Sequence, residues 1–262
     1  AIPQSGVMDE YAAKFANLLL QNDANASVLE ITLMGPKLEF DIETQLVCSG
    51  LHAKIQLNSV EIPINEVFSV QKGDVLHVQQ VIEGNYVYLA CKGGFKSESV
   101  FNSSSFYKGV TQQAKLEKNE ELATHASNKT KTASVETHAQ LKFQKKPYKS
   151  QILEVFEGPE FHLLSTSQQN KIFESIFHVS KNYNRMAFQL EESFPNELKS
   201  IITSPVIPGT VQLTPDGKLI VLMKDAQTTG GYPRILQLSQ KAIFQLAQKR
   251  QNEAVQFQKL IQ

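Results

Sequence analysis

Turn dipeptides cut the N-terminal third of this chain into runs too short for long helices. Val28-Leu29-Glu30-Ile31-Thr32-Leu33-Met34 is rich in branched apolar residues and stops at Gly35-Pro36. Leu38 to Ile42 alternates with a period of two. Val60 to Ile64, Val75 to Val81 and Tyr86 to Ala90 follow, punctuated by Lys72-Gly73-Asp74 and Glu83-Gly84-Asn85. Alternation presents one face to a core, and Gly-Asp or Gly-Asn pairs supply tight turns. The pattern predicts an antiparallel sandwich or barrel. Two helices interrupt it. One follows an N-cap at Asp9 and carries Tyr11, Phe15, Leu18 and Leu19 at helical spacing; the other starts at Ser239 and runs through Ile243, Leu246 and Ala247. A final strand is predicted near Val255-Gln256-Phe257.

The β pattern occurs twice. Ile152-Leu153-Glu154-Val155 through Gly158-Pro159-Glu160-Phe161 matches Val28-Leu29-Glu30-Ile31 through Gly35-Pro36-Lys37-Leu38. Each reads apolar-Leu-Glu-apolar, then Gly-Pro, then an apolar residue two further on. That spacing suits a duplicated β module. Between the copies, residues 112–149 are rich in Lys, Glu, Thr and Ser and poor in aromatics, which predicts an exposed linker over their middle, about 123–140. The expected organisation is a β unit over 1–122, an exposed excursion over 123–149 and a second β unit over 150–262.

Charge and composition exclude several classes. The 262 residues carry 26 Lys+Arg against 26 Asp+Glu, so the net charge is zero. Nucleic acid is not expected as the main partner, because that affinity comes from neutralising phosphates. No apolar run approaches the ~20 residues of a membrane helix, and the first residues show no basic and apolar leader pattern. Cys48 and Cys91 lie in apolar strand-like contexts without a CxxC, which predicts reduced thiols in a cytoplasmic protein. The six histidines form no HxH or HxxxH pair, so no metal site is expected.

No GxGxxG, Walker A or GxSxG motif is present. Gly93-Gly94-Phe95-Lys96-Ser97 superficially resembles a phosphate loop but reads better as a tight turn. The segment from Ser204 to Arg234 is richest in chemistry. Pro215-Asp216-Gly217 is a hairpin turn between Thr210–Leu213 and Leu219–Met223, and the second strand leads into Asp225-Ala226-Gln227-Thr228-Thr229-Gly230-Gly231-Tyr232-Pro233. Paired glycines let backbone N–H groups approach a ligand. The flanking acid, amide and hydroxyls would serve that ligand, or else hydrogen-bond their own turn. Arg185 offers a guanidinium fork for a carboxylate, a phosphate or a ureido group, or for a structural salt bridge.

These residues bring a resemblance into view. Gly6-Val7-Met8-Asp9, Asn17, Leu29-Glu30, Gly35-Pro36, Gly73-Asp74, Tyr88-Leu89-Ala90 with Gly93-Gly94, Gly158-Pro159, Arg185-Met186, Ser204, Pro208-Gly209-Thr210 with Gln212, Asp216-Gly217 and the Asp225–Pro233 block stand in the order of one family. The chain resembles the allophanate hydrolase subunit 2 family, also called the biotin-dependent carboxyltransferase or KipA-like family, which includes the C subunit of 5-oxoprolinase. The Asp-x-Gln-Thr-Thr-Gly-Gly-Tyr-Pro run is its most specific element.

The resemblance implies a mainly β protein of two cyclophilin-like β-barrel units with a few short helices, and a further strand ahead of Gly6. It implies the larger subunit of an ATP-dependent amidohydrolase or carboxyltransferase acting on a small amide, lactam or urea. The partner would be a KipI-like protein of the allophanate hydrolase subunit 1 family, with a 5-oxoprolinase A-subunit homologue in some complexes. ATP would be used by the complex, and biotin would arrive through a partner. The expected catalytic residues are Asp225, Asp9 and Arg185. Gln212, Gln227, Thr228, Thr229, Gly230, Gly231 and Tyr232 are the expected substrate contacts. Arg185, the two threonines and the Gly230-Gly231 amides would hold developing negative charge; Asp225 or Asp9 would orient or deprotonate a substrate N–H. Ser104 stands where relatives favour Arg, and Asn184 where they favour Asp. These departures favour an alternative, a non-catalytic KipA-like protein that sequesters a KipI-like regulator.

Overall fold

The computed structural model describes residues 2–125 and 141–260. Residues 126–140, the middle of the expected excursion, lie outside the described residues. The chain divides into two compact units, Asp9–Lys145 and Ala1–Met8 with Lys146–Gln262.

The first unit opens with α1 (Glu10–Leu19). Asp9 caps it, its carboxylate accepting from the Ala12 N–H at 3.0 Å. Six strands follow: β1 (Leu29–Thr32), β2 (Lys37–Glu39), β3 (Thr44–Leu57), β4 (Val60–Glu61), β5 (Val67–Val70) and β6 (Val75–Cys91). They form one sheet whose path runs β1-β6-β3-β4, with β2 also on β6 and β5 also on β3. The two long strands are its spine. Leu46, Cys48, Ile55, Leu76, Val78, Leu89 and Cys91 pack together in one apolar cluster. Val47 and Ala90 point the other way and receive Ala16 and Leu20. Phe143, beyond the undescribed residues, packs against Tyr11 and Phe15.

One reading of this region changes. Val75 to Val81 and Tyr86 to Ala90 are not separate strands: β6 runs through Glu83-Gly84-Asn85. Gly84 takes φ +79°, and β3 opposite shifts register around His52. The apparent turn is an irregularity within a strand paired along its length. Strand β3 itself has no clear period-two signature, because Leu46 to Leu51 are buried on both faces. At the outer edge of β3, the Asn65 side chain does the work of a neighbouring strand. Its Oδ1 accepts from the Gly50 N–H at 3.1 Å and its Nδ2 donates to the Gly50 carbonyl at 3.0 Å.

The second unit holds α2 (Lys146–Lys149), β7 (Ile152–Glu157), a 3-10 turn at Phe161–Leu163, α3 (Thr166–Glu174), β8 (Phe177–Tyr183), β9 (Ala187–Ser193), β10 (Ser204–Pro205), β11 (Thr210–Leu213), β12 (Lys218–Leu222), β13 (Thr229–Gly230), β14 (Arg234–Leu238), α4 (Gln240–Ala247) and β15 (Ala254–Lys259). Seven strands close a barrel in the order β11-β12-β9-β8-β15-β7-β14; the β15–β7 pair is parallel. Alternate residues fill it. Leu153, Val155, Phe177, Val179, Phe188, Leu190, Val211, Leu213, Leu219, Val221, Val255 and Phe257 are all buried, and the Phe177 and Phe257 rings lie 5.6 Å apart. Ser239 caps α4 as expected. The Pro215-Asp216-Gly217 hairpin joins β11 to β12 with Leu213 opposite Leu219. A two-stranded ribbon of β10 and β13 stands apart from the barrel sheet.

The mainly β reading holds. One unit is a closed barrel; in the other the described strands form an open path.

Both cysteines are buried and free. Burial pushes the Cys48 thiol up to about 12. Among the described residues no helix is long and apolar enough to cross a membrane, and no group of His, Cys, Asp and Glu could hold a metal ion.

Candidate functional site

The barrel unit brings Arg185 to Asp225. Arg185 lies in the turn between β8 and β9, and Asp225 just past β12. The two segments are tied by the Asp225 N–H donating to the Arg185 carbonyl at 2.8 Å and the Met223 N–H donating to the Met186 carbonyl at 2.9 Å. The side chains then meet as a fork: Nε donates to Oδ2 at 2.8 Å and Nη2 to Oδ1 at 2.9 Å. Two parallel bonds fix both planes. Arg185 Nη2 also donates to the Gly6 carbonyl at 2.7 Å and to Ser5 Oγ at 3.0 Å. The Ser5 hydroxyl donates to Asp225 Oδ1. The carboxylate thus accepts from a guanidinium and a hydroxyl while 16% of its side-chain surface stays exposed.

Ser5 and Gly6 were not among the expected site residues. They sit at φ +58° and +109°, the left-handed region that turns the chain back toward Arg185. Gly6 opens the Gly6-Val7-Met8-Asp9 motif of the resemblance, whereas the only sequence signal for Ser5 is its place before that glycine.

The run after Asp225 forms one strand of the ribbon. Ser204 pairs with Gly230 and Pro205 with Thr229. The Val206 N–H donates to the Thr228 carbonyl at 3.0 Å and the Ile201 N–H to the Gly231 carbonyl at 2.8 Å. The side chains of Gln227, Thr228 and Thr229 make no hydrogen bond with described residues, and Tyr232 is 40% exposed. Beneath the ribbon lies Gln212 on β11, 1% exposed. Its Nε2 has no hydrogen-bond partner among the described residues.

A second ion pair anchors the ribbon, and it too was missed in the sequence. Arg234 forks onto Glu160, Nε to Oε2 at 2.9 Å and Nη2 to Oε1 at 2.7 Å, while Nη1 donates to the Pro205 carbonyl at 2.9 Å. The Arg234 hydrogen bonds hold the Glu160 carboxyl below its ordinary value, and the same bonds raise the guanidinium. The cue was available: Glu160 follows one Gly-Pro pair, and Arg234 follows Pro233.

Asp9 belongs to the other unit. It is fully buried, caps α1, and its N–H donates to the Tyr88 hydroxyl at 2.8 Å. That hydroxyl donates to Glu30 at 2.9 Å. Burial first, then the charges of Glu30 and Asp9, push the Tyr88 phenol well above its ordinary value.

The Gly93-Gly94 turn does not fit a nucleotide's phosphates. A side chain on Gly93 would meet the His125 carbonyl at 3.0 Å, and one on Gly94 would meet Ala26 at 3.2 Å, so this Gly-Gly pair is a packed turn. In the barrel unit, Arg185 and Arg234 each fork onto a carboxylate. A biotin ureido carboxylate would compete with Asp225 for the same fork. No step through ATP or biotin follows from these side chains.

Comparison with known proteins agrees with this architecture. Residues 1–259 match the family described as "Carboxyltransferase domain, subdomain A and B". The chain is 28% identical to the C subunit of 5-oxoprolinase from Escherichia coli (strain K12) over 261 residues, 98% of this chain and 82% of that protein. It is 36% identical to urea amidolyase of Lachancea kluyveri over 106 residues, 40% of this chain and 6% of that protein. The crystal structure of the K. lactis urea amidolyase shares the fold, with a TM-score of 0.83 at 23% identity over 99% of this chain and 17% of that one. The chain therefore belongs to the carboxyltransferase-domain family built of subdomains A and B.

Proposed function

We propose that this chain is the larger subunit of an ATP-dependent amidohydrolase or carboxyltransferase acting on a small amide, lactam or urea, in the manner of its 5-oxoprolinase and urea amidolyase relatives. The observation that carries the reading is the Arg185–Asp225–Ser5 cluster, set in the same loop system as polar side chains that no described residue satisfies. A polar ligand is what such groups suit. Arg185, fixed in plane by Asp225, holds negative charge developing on a carbonyl oxygen. Thr228, Thr229, Gln227 and Tyr232 contact the substrate, with Gly230 and Gly231 letting it approach the backbone. Asp225 orients Arg185 and a substrate N–H.

The partner is a KipI-like protein, joined by a 5-oxoprolinase A-subunit homologue. ATP, and biotin where used, are handled by those partners. The complex works in the cytoplasm.

The test is co-expression with the two partners and an assay of ATP-dependent conversion of 5-oxoproline to glutamate or of urea carboxylation. Asp225→Asn should keep the fold and lower turnover at least tenfold, about 1.4 kcal/mol of transition-state stabilisation. An equally active Asn variant with an unchanged Tm removes Asp225 from the mechanism. Ser104, where relatives favour Arg, supports a second reading as a sequestering protein. A tight complex with a KipI-like protein and no turnover would favour it.

A further inference from the structure

Gln212 is the one candidate substrate contact that is fully buried. A Cβ on Gly230 would lie 2.4 Å from its Nε2 and 3.5 Å from a Val206 methyl. The amide therefore lies against the bare Cα of Gly230, with no acceptor for Nε2 among the described residues. A buried donor without an acceptor costs about 1–3 kcal/mol. Leu or Met would fill similar volume without that cost. Gly230 adds a second constraint, because any side chain there would collide with the amide. Together they keep a donor in place that the barrel does not use.

We infer that Gln212 Nε2 is the hydrogen-bond donor for the carbonyl oxygen of a small amide, lactam or urea, reached when the Thr229–Gly230 ribbon lifts off β11. The ligand class rests on the function proposed above. The Thr229–Gly230 strand can yield because β10 and β13 are each two residues long and stand outside the barrel sheet, and the Arg234 anchor holds β10 at Pro205, not β13. A carbonyl oxygen suits the position because a neutral amide N–H donates to it without a charge being buried beside it. When the ribbon lifts, the polar run Gln227 to Thr229 moves with it, so that ligand entry and substrate contact are one event.

The experiment uses the full chain with urea and 5-oxoproline as probes. The Gln212 side-chain amide resonance is identified by its loss in Gln212→Leu. One of the probes should shift that resonance in the unaltered chain. Gln212→Leu should melt at or above the native Tm without ligand, yet bind the probe at least tenfold more weakly. Gln212→Met serves if the Leu variant fails to fold. Equal affinity of the native and substituted chains, or a resonance that neither probe moves, overturns the inference. The two readings fail separately. A shifted resonance with no turnover by the assembled complex sinks the proposed function and leaves the Gln212 donor standing. Turnover unaffected by Gln212→Leu does the reverse.

Discussion

Gly35 and Gly158 end matching strands, and each presses against a partner strand. A Cβ on Gly35 would lie 2.7 Å from the Val78 carbonyl oxygen and 2.6 Å from its Cβ; one on Gly158 would lie 2.2 Å from the Arg234 carbonyl oxygen. The Gly35 N–H bonds the Val78 carbonyl, and the Gly158 N–H bonds that of Ile235. So far the two units use one device. They part immediately afterwards. In the barrel unit Pro159 delivers Glu160, which grips Arg234 and through it the ribbon. In the sheet unit Pro36 delivers Lys37, an exposed residue opposite His77. The matching glutamates differ too: Glu30 receives the buried Tyr88 hydroxyl, and Glu154 pairs with Lys241. A shared turn thus supports packing in one unit and a charged, partly exposed loop system in the other. The geometry of the turn does not determine the chemistry built on it.

The comparison breaks most readily at its shared point. Gly158→Ala should cost the barrel unit roughly 3 kcal/mol or more, and Gly35→Ala roughly 2 kcal/mol in the sheet unit, because backbone blocks both side chains. Amide exchange resolves the two units, and a Gly158→Ala barrel with native protection would refute the close approach. Next comes Glu160→Gln, expected to cost the barrel about 1–3 kcal/mol at neutral pH and to leave the sheet unit unchanged. Its pH dependence follows from the depressed native carboxyl. The contribution is fully present above the ordinary value of 4.5 and is lost as pH falls through the native value, so native and variant curves should converge in acid. Convergence at high pH instead would contradict the ion pair. A smaller effect is expected from Tyr88→Phe, about 1–2 kcal/mol confined to the sheet unit, since the Asp9 N–H loses its acceptor. Asp9→Ala should cost about 1 kcal/mol through loss of the cap. Denaturant titration of each variant, read by exchange in α1, checks both.

Much of this was legible locally. The Gly-Pro stops, the Asp9 and Ser239 caps and the Pro215-Asp216-Gly217 hairpin are set by residues adjacent in sequence, and each forms as its local chemistry dictates. Strand β3 was harder, because burial on both faces erases alternation. Glu83-Gly84-Asn85 misled for a related reason: a glycine at positive φ marks a turn or a bulge equally well, and only the strand opposite decides. At the site, the Asp225–Pro233 run announced itself by composition. The closure of Arg185 on Asp225 depends on a β8–β9 turn meeting the end of β12, and Ser5 joins from the far end of the chain. No local pattern carries such meetings. Glu160 and Arg234 were marked locally by the prolines before them, but their pairing was not.

Asn65 has a consequence beyond its own unit. Where neighbouring strands are short, a long strand is left with stretches of unpaired amides and carbonyls that invite another extended polypeptide. By occupying both polar groups of Gly50, one carboxamide denies an incoming strand its first two rungs there, without adding a strand of its own. The carboxamide spans the interval between β5 and β4, so that the flank of β3 is covered at Gly50 where neither strand reaches.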